Sequence, residues 1–339
     1  MYNKNSSIKG KIDVHHHILP KEYLKRLKSI GITIAAPGVP FPKWTPEKSL
    51  SFMKKTGIDT AILSISAPGV SFKNPTFSAE LSRICNEYMA EMKKRYVGKF
   101  GGFASIPLPY TKGAINELKY ALDELKLEGV CLFTNYDGKY LGDKSFEKFF
   151  EELNKRNAIV YIHPAAPAKA YDPKLEFSPF AIEAPFETTR AVTNLIYTGV
   201  VDRYKNIRYI LSHGGGTIPY IGWRLAWINY GQKDKRIRGM LRGFYDLFVK
   251  DGPETGLNIL KKGNMYYDTA LVSGDSAIKA LHAFAGSSRI IIGSDFPFLG
   301  AMGGSIVLKN LKKYSGFSKK DFEAIEYNNC LRLFPQFDK

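Results

Sequence analysis

Short apolar runs alternate with longer amphipathic runs along almost the whole chain. The apolar runs have strand length and many β-branched residues, whereas the segments between them repeat apolar residues at helical spacing. Eight strands are predicted in this way: Lys11–His15, Asp59–Ser66, Phe100–Ile106, Gly129–Thr134, Ala158–His163, Ile207–Ser212, Met265–Asp268 and Arg289–Ser294. The predicted helices include Phe77–Arg95, Lys112–Lys126, Asp143–Asn157, Thr188–Tyr204 and Ala277–Phe284.

Eight strands separated by helices predict an α/β fold, a (β/α)8 TIM barrel, more naturally than an open sheet. The length of 339 residues fits one such barrel or two ordinary domains. Because no linker, low-complexity tract or internal repeat divides the chain, we predict a single domain over residues 1–339, with residues 1–10 as a flexible lead-in.

Three longer intervals interrupt the alternation. Ala35–Pro46 and Pro164–Pro185 are rich in proline, and each follows a predicted strand. Gly214–Lys262 has room for extra helices, including Tyr220–Ile228 and Lys235–Val249. Barrel enzymes place the loops that cover the substrate at the carboxyl ends of their strands. We therefore expect loop and helical insertions at the C-terminal face of the barrel.

Composition narrows the class of protein. A hydrophobic content of 44% with mixed charges is typical of a globular enzyme, not of a disordered chain. No apolar run reaches the roughly eighteen residues of a membrane span, and the polar N-terminus lacks a signal core, so we expect a cytoplasmic protein. Three widely spaced cysteines without a Cys-x-x-Cys pair indicate core residues, not disulfides.

The net charge of +17 admits two interpretations. One is nucleic-acid binding, for which a strongly basic chain is a common sign. However, the lysines are spread along the helices in pairs such as Lys54-Lys55 and Lys312-Lys313, and no nucleic-acid-binding motif accompanies them. This distribution favours a solvated basic surface, whose field could still attract small anions. We expect no nucleic-acid partner.

The first predicted strand ends in His15, His16 and His17. Because successive strand side chains point to opposite faces, His15 and His17 should point the same way and His16 the other way. Two imidazoles on one face are well placed to share a metal ion. The alternatives are a histidine cluster at the surface or in the core, or the remnant of a tag.

Single polar residues close three other predicted strands: His163 the fifth, His213 the sixth and Asp295 the eighth. Taken singly, such a residue is usually a cap or turn residue. The carboxyl ends of barrel strands meet at one mouth, so these three side chains should join His15 and His17 there. Histidine and carboxylate ligands with an open position suit Zn²⁺ or Mn²⁺.

Four motifs around these residues resemble the amidohydrolase superfamily: Ile12–Pro20, Ile162–Pro164, Ser212–Gly216 and Gly293–Pro297. More narrowly, the pattern is similar to the amidohydrolase-related decarboxylases, a family typified by 2-amino-3-carboxymuconate 6-semialdehyde decarboxylase. That family also includes the γ-resorcylate and 6-methylsalicylate decarboxylases. Three further stretches most resemble its 6-methylsalicylate decarboxylases: Leu63–Gly69, Cys85–Glu87 and Asn135–Gly138.

The resemblance implies a role for each residue that matches a motif. His15 and His17 become the first two metal ligands and His163 the third, with Asp295 completing the set. His213 becomes the catalytic acid/base beside the metal, and Asp295 lies near enough to assist the proton transfer.

Substrate contacts are also implied. Arg224 matches a position that in some relatives binds the substrate carboxylate from a partner subunit, which implies a homodimer or higher homo-oligomer. An ordinary ion pair on a helix surface is the alternative for Arg224. The aromatic residues Trp44, Phe296 and Phe298 are candidates to flank a planar ring, and packing at the barrel mouth is their alternative.

The sequence departs at one place from the binuclear members of the superfamily, which have a bridging lysine or glutamate, and at another from the semialdehyde decarboxylase. The end of the fourth strand, Leu132–Asn135, has no lysine or glutamate that could bridge two metals, so we predict one divalent ion, Zn²⁺ first and Mn²⁺ second. From Gly31 to Lys48 there is no arginine, although the semialdehyde decarboxylase has one in this loop. That difference favours a more aromatic and less charged substrate.

The resemblance thus implies a metal-dependent, non-oxidative decarboxylase of an aromatic or unsaturated carboxylic acid, which is a carbon–carbon lyase. The same ligands could serve a hydrolase of an amide or lactone, or a hydratase that adds water to a double bond. From a different class, a non-enzymatic barrel that binds nucleic acid would show tight, steeply salt-dependent binding to DNA or heparin. We expect a small carboxylic acid as partner and no membrane.

Overall fold

The structure is a computed structural model that describes residues 10–167, 176–233, 260 and 263–338. The proposed N-terminal lead-in, apart from Gly10, and the expected helix Lys235–Val249 lie outside these residues.

Eight parallel strands form one sheet in which their spatial order is their order along the chain. They are β1 (Lys11–His17), β2 (Ile58–Ser64), β3 (Phe100–Ser105), β4 (Gly129–Phe133), β5 (Ile159–His163), β6 (Arg208–Leu211), β7 (Met265–Asp268) and β8 (Ile290–Ile291). The residues that directly follow β8 form hydrogen bonds with β1. Val14 N donates to Ile292 O at 3.0 Å, and Asp295 N donates to His15 O at 2.9 Å. These bonds close the sheet, and the predicted (β/α)8 barrel is confirmed.

Helices connect the strands and also follow the last one. They are α1 (Lys21–Ser29), α2 (Pro46–Thr56), α3 (Pro75–Arg95), α4 (Thr111–Lys119), α5 (Glu147–Lys155), α6 (Glu183–Tyr197), α7 (Val200–Arg203), α8 (Ile218–Lys233), α9 (Asp275–Ala285), α10 (Gly300–Lys313), α11 (Lys319–Glu323) and α12 (Asn329–Leu333). Two small antiparallel hairpins follow β1 and β4, at Ile34–Ala36 with Val39–Pro40 and at Asn135–Tyr136 with Lys139–Tyr140. The first hairpin lies largely in the expected insertion Ala35–Pro46 and α8 in Gly214–Lys262, while part of Pro164–Pro185 and most of Gly214–Lys262 lie outside the described residues.

Local sequence signals fix where several helices begin and end. At α2 the Thr45 side chain accepts a hydrogen bond from Lys48 N, and Pro46 occupies the first turn, where its missing N–H costs nothing. The same helix ends at Gly57, whose φ of 71° is favourable for glycine. At α3 the side chain of Asn74 caps the first turn in the same way.

Two predicted elements differ from the structure. The helix predicted over Thr188–Tyr204 begins earlier, as α6, and is interrupted at Gly199, whose φ of 74° ends a right-handed helix. The eighth strand is regular only over Ile290–Ile291. Residues 292–295 leave the ladder with β7 and bond to β1, as described above.

Apolar side chains fill the interior of the barrel. The interior cluster includes Val14, Phe103 and Tyr161, and Leu333 and Phe334 near the C-terminus pack into it. A second and larger cluster lies between the strands and the surrounding helices. No helix in the described part of the chain is long and apolar enough to span a bilayer. With the interior occupied by apolar groups, the polar side chains collect at the carboxyl ends of the strands.

Candidate metal centre and active site

A β-bulge in β1 sets the directions of its three histidines. Val14 points into the barrel, so strict alternation would point His16 inward as well. The pairing of β1 with β2 shifts in register between Asp13 and His16, which changes the phase of the alternation. His15 and His17 consequently face the barrel mouth, and His16 packs on the other side of the wall.

Behind the wall, His16 belongs to a buried hydrogen-bonded chain. Trp44 Nε1 donates to Ser49 Oγ at 2.8 Å, and Ser49 Oγ lies 2.8 Å from His16 Nε2. His16 Nδ1 lies 3.1 Å from Asp13 Oδ2. Since the Asp13 carboxylate can only accept, His16 Nδ1–H donates to it, and in this tautomer Nε2 accepts from the serine hydroxyl.

Asp13 in turn connects β1 to the segment after β8. Its Oδ1 accepts from the backbone N–H groups of His15 at 3.1 Å and Ser294 at 3.0 Å, while its Oδ2 accepts from Ser294 Oγ at 2.6 Å. All of these groups are buried. Asp13 therefore fixes the relative position of the two segments that carry His15 and Asp295.

Four predicted ligands meet at the mouth of the barrel. His15 Nε2 and His17 Nε2 lie 3.3 and 3.4 Å from the same atom, Asp295 Oδ1. One ring nitrogen from each of His15, His17 and His163 lies within 4.8 Å of the other two, and the same is true of the donor atoms of His15, His213 and Asp295. The structure therefore brings together the five residues that the strand ends singled out.

The other nitrogen of each ligand histidine is already occupied. The Nδ1 partners are Asp268 Oδ2 at 2.8 Å for His15, Ser64 Oγ at 2.9 Å for His17 and Pro164 O at 3.1 Å for His163. Metal-binding histidines characteristically use one nitrogen in this way, which fixes the ring and leaves the other nitrogen for the ion. Among the described residues, the buried Nε2 atoms of His15 and His17 have no hydrogen-bond partner of acceptable geometry.

These positions fit a divalent cation. Ligand atoms of a tetrahedral ion with bonds of about 2.1 Å are separated by about 3.4 Å, close to the distances from Asp295 Oδ1 to the two histidines. Imidazole nitrogens with one carboxylate suit Zn²⁺ or Mn²⁺. Both groups of side chains in the described chain that could hold a metal belong to this cluster.

The electrostatics of the cluster also favour a cation. Burial lowers the pKa of His17 to about 4 and that of His163 well below its usual value, so both imidazoles are neutral. Burial would raise the pKa of Asp295, but the charge of His15 and the hydrogen bonds from His15, His17 and His213 together outweigh it and hold that pKa well below the usual range. Burial likewise lowers the pKa of His15, yet the carboxylates of Asp268 and Asp295 raise it to about 10. The two carboxylates thus favour positive charge at His15.

Asp268 is a functional candidate that the sequence patterns did not single out. Besides His15, its Oδ2 accepts from Tyr161 OH at 3.2 Å, and its Oδ1 accepts from His213 N at 2.8 Å. Gly293 makes room for it, because a Cβ at this glycine would lie 2.9 Å from Asp268 Cγ. Asp268 is the last residue of the seventh strand. The argument that selected Asp295, a polar residue at the carboxyl end of a barrel strand, could therefore have selected Asp268 as well.

His213 and Asp295 both adopt backbone conformations that are uncommon for residues other than glycine. Their φ angles are 51° and 55°, in the left-handed region. Such residues tend to cluster at functional sites, where the surrounding structure holds them. His213 Nε2 lies 3.8 Å from Asp295 Oδ2, and His213 Nδ1 is buried with no hydrogen-bond partner among the described residues. The His213 ring is therefore positioned beside the carboxylate with its nitrogens available.

A cavity of about 560 Å³ opens above the cluster. His163, His213 and Asp295 contribute to its lining, and most of its remaining wall is apolar, including Val39, Phe180, Ala184, Leu271, Val272 and Phe298. No lysine or arginine of the described chain lines it. Its size is within the range of sites for small organic ligands. The cavity can accept a planar, largely apolar molecule with one end at the cluster.

The aromatic substrate candidates separate into two groups. Phe298 lines the cavity and packs edge-on against His17, with ring centroids 5.5 Å apart. Phe296 is only 4% exposed and stacks on Phe52 with centroids 4.5 Å apart, and Trp44 bonds to Ser49 as described above. Neither Phe296 nor Trp44 lines this cavity, and their contact with a bound ring stays a prediction.

Arg224 lies on α8 with its side chain exposed, and it does not line the cavity. Its contact with substrate from a partner subunit stays a prediction.

At the end of β4, Thr134 Oγ1 and Asn135 Nδ2 donate to the buried carboxylate of Glu187 at 3.3 and 2.7 Å. The described residues at this strand end thus provide hydrogen bonds away from the cluster.

Comparisons with known proteins agree with this geometry. The amidohydrolase family model Amidohydro_2 matches residues 12–336. The decarboxylase yanB of Aspergillus niger is 36% identical over 96% of this chain and 88% of its own length. The 6-methylsalicylic acid decarboxylase acuB of Aspergillus aculeatus is 33% identical over 97% of both chains. A crystal structure of an amidohydrolase II superimposes with a TM-score of 0.81 and 27% identity over 96% of this chain and 99% of that one. The chain therefore belongs to the amidohydrolase family, and its relatives there include decarboxylases.

Proposed function

We propose that this protein is a metal-dependent, non-oxidative decarboxylase of an aromatic carboxylic acid. The observation that carries the proposal is the convergence of His15 Nε2 and His17 Nε2 on Asp295 Oδ1, with His213 beside it, at one end of an apolar cavity. Similarity to decarboxylases over nearly the whole chain supports the same reaction.

One divalent ion would be held by His15, His17, His163 and Asp295, with Zn²⁺ as the first choice and Mn²⁺ as the second. When bound, it would supply a Lewis acid for the carboxylate or a neighbouring hydroxyl of the acid, which orients the substrate and stabilises developing negative charge.

His213 would deliver the proton that the reaction consumes. The bond between the ring carbon and the carboxyl carbon breaks, CO₂ leaves, and the electron pair that remains on the ring carbon forms a new C–H bond. Histidine is suited to this transfer because its unperturbed pKa is close to neutrality. Asp295 Oδ2, at 3.8 Å from His213 Nε2, would stabilise the protonated imidazole.

The apolar wall would bind the ring. Each Å² of apolar surface removed from water contributes about 25 cal/mol, so a benzene ring gains affinity from contacts with residues such as Phe298 and Val272. Because the described lining holds no lysine or arginine, an acid with a single carboxylate fits better than a more highly charged one. The substrate named for the Aspergillus aculeatus relative, 6-methylsalicylic acid, is such an acid and is the first candidate here.

The test is to incubate the metal-loaded protein with a panel of hydroxybenzoates that includes 6-methylsalicylate and to measure CO₂ release. Stoichiometric release of CO₂ with formation of the decarboxylated phenol supports the proposal. Hydrolysis of amides or lactones assayed in parallel, with no CO₂ release from the hydroxybenzoates, would instead support the alternative hydrolase. The homodimer, the partner contact of Arg224 and a cytoplasmic location stay predictions that gel filtration and fractionation can test.

A further inference from the structure

Leu271 combines two features that its own surroundings do not explain. It lies in the loop between β7 and α9, where its side chain is 59% exposed to solvent. Its φ angle is 56°, in the left-handed region that leucine rarely adopts. An exposed leucine alone is ordinary, but one that is also held in an unfavourable backbone conformation motivates a hypothesis about function, which its surroundings must support.

The position of this side chain indicates what the function is. Leu271 lines the cavity that also contains His213 and Asp295. The next residue, Val272, anchors the loop: its N–H donates to Thr269 O at 3.2 Å, and it packs closely over Gly214. The loop is thus attached to the site on one side of Leu271, while the leucine side chain itself remains uncovered.

We propose that Leu271 is a specificity-determining residue that contacts the ring of the bound acid and selects an apolar ring substituent over a hydroxyl group. This inference rests on the proposed function. A bound ring would cover the exposed leucine and remove its apolar surface from water. A hydroxyl group placed against Leu271 would lose water without gaining a partner from this side chain, which disfavours the polar acid.

Two acids of nearly equal size separate these effects. In 6-methylsalicylate and 2,6-dihydroxybenzoate the same ring position carries a methyl or a hydroxyl group. We expect the wild-type protein to bind the methyl acid more tightly in calorimetric titrations of the metal-loaded enzyme. In Leu271→Ala this preference should fall about tenfold, the usual effect of losing one apolar contact. Leu271→Met, which keeps an apolar side chain of similar volume, should restore most of it.

Lys126→Gly is the matched control. Lys126 has the same φ of 56° and is exposed, but it does not line the cavity. Leu271→Gly and Lys126→Gly should both unfold at a temperature no lower than the wild type, because glycine adopts this backbone conformation without strain. Only Leu271→Gly should lose the preference for the methyl acid.

The outcomes separate this inference from the proposed function. If the wild type binds both acids but releases no CO₂, decarboxylation is refuted, while the affinity ratio still tests the role of Leu271. An unchanged preference in Leu271→Ala, an equal loss in Lys126→Gly, or a wild type that binds neither acid or prefers the hydroxyl group would each overturn the inference. If Leu271→Ala changes KM for the methyl acid more than it changes kcat, that result would support the inference.

Discussion

The Nδ1 atom of His15 lies 2.8 Å from Oδ2 of Asp268, although 253 positions separate the two residues in the sequence. The other oxygen of Asp268 accepts from the backbone N–H of His213 at 2.8 Å. One buried carboxylate therefore orients a proposed metal ligand and also holds the backbone of the proposed proton donor. Partners of this kind fix the tautomer of a ligand histidine and increase its basicity.

Replacing Asp268 with asparagine should weaken metal binding by about 10- to 100-fold, because the amide keeps the shape but loses the charge that favours a cation at His15. Competition with a chelator of known affinity measures this change. Asp275→Asn is a matched control, since Asp275 is exposed at the start of α9 and pairs only with Lys279 in the described contacts. Equal metal affinity in wild type and Asp268→Asn would contradict the role given to Asp268.

Replacing His163 with alanine should remove the metal and the activity together, because it deletes one of four proposed ligands. Elemental analysis of the purified variant, with circular dichroism to confirm folding, measures this. His282→Ala provides the control, since His282 lies in α9 and packs against Tyr314 and Phe317. Full metal content in folded His163→Ala would refute the ligand assignment.

Replacing His213 with alanine should leave metal content nearly unchanged while kcat falls by about 10²- to 10⁴-fold, the usual contribution of a general acid or base. Steady-state kinetics on the metal-saturated variant measures this loss. An unchanged kcat would dismiss the proton-transfer role, and loss of the metal would instead make His213 a ligand.

Asp321 should make the stability depend on pH in acid. Hydrogen bonds from Ser287 Oγ and Ser318 lower the pKa of Asp321 to about 2, below the value of about 3.9 for an unfolded chain. A lowered pKa stabilises the folded state above about pH 4, and this contribution is lost as the pH falls through about 2. The difference in free energy of unfolding between the wild type and Asp321→Asn should therefore shrink across that range. Urea unfolding at several pH values measures the difference, and a constant difference would argue against this account.

The barrel, and the meeting of the three strand ends that carry the four proposed ligands, were predictable from the pattern of apolar runs. Strand residues of one phase point to one face, and the carboxyl ends of parallel barrel strands meet. His163 and Asp295 could thus be placed with His15 from the sequence alone. Their roles in binding and catalysis come from family resemblance and stay proposals until they are measured.

Other features depend on contacts that periodicity does not encode. The bulge between Asp13 and His16 changes which side chains face inward, and nothing in the local pattern of apolar residues marks it. The indole N–H of Trp44 donates to Ser49 on the outer side of the barrel wall, a contact that the pattern of apolar residues does not predict. Phe296 stacks on Phe52, whereas Phe298, two residues later, lines the cavity.

The most direct measurement is an anomalous diffraction map of crystals of the metal-loaded protein, recorded at the absorption edge of the added ion. A single peak should appear about 2.0–2.2 Å from the Nε2 atoms of His15, His17 and His163 and from a carboxylate oxygen of Asp295. No peak among these four side chains, or two peaks bridged by another residue, would contradict the proposed single-metal centre.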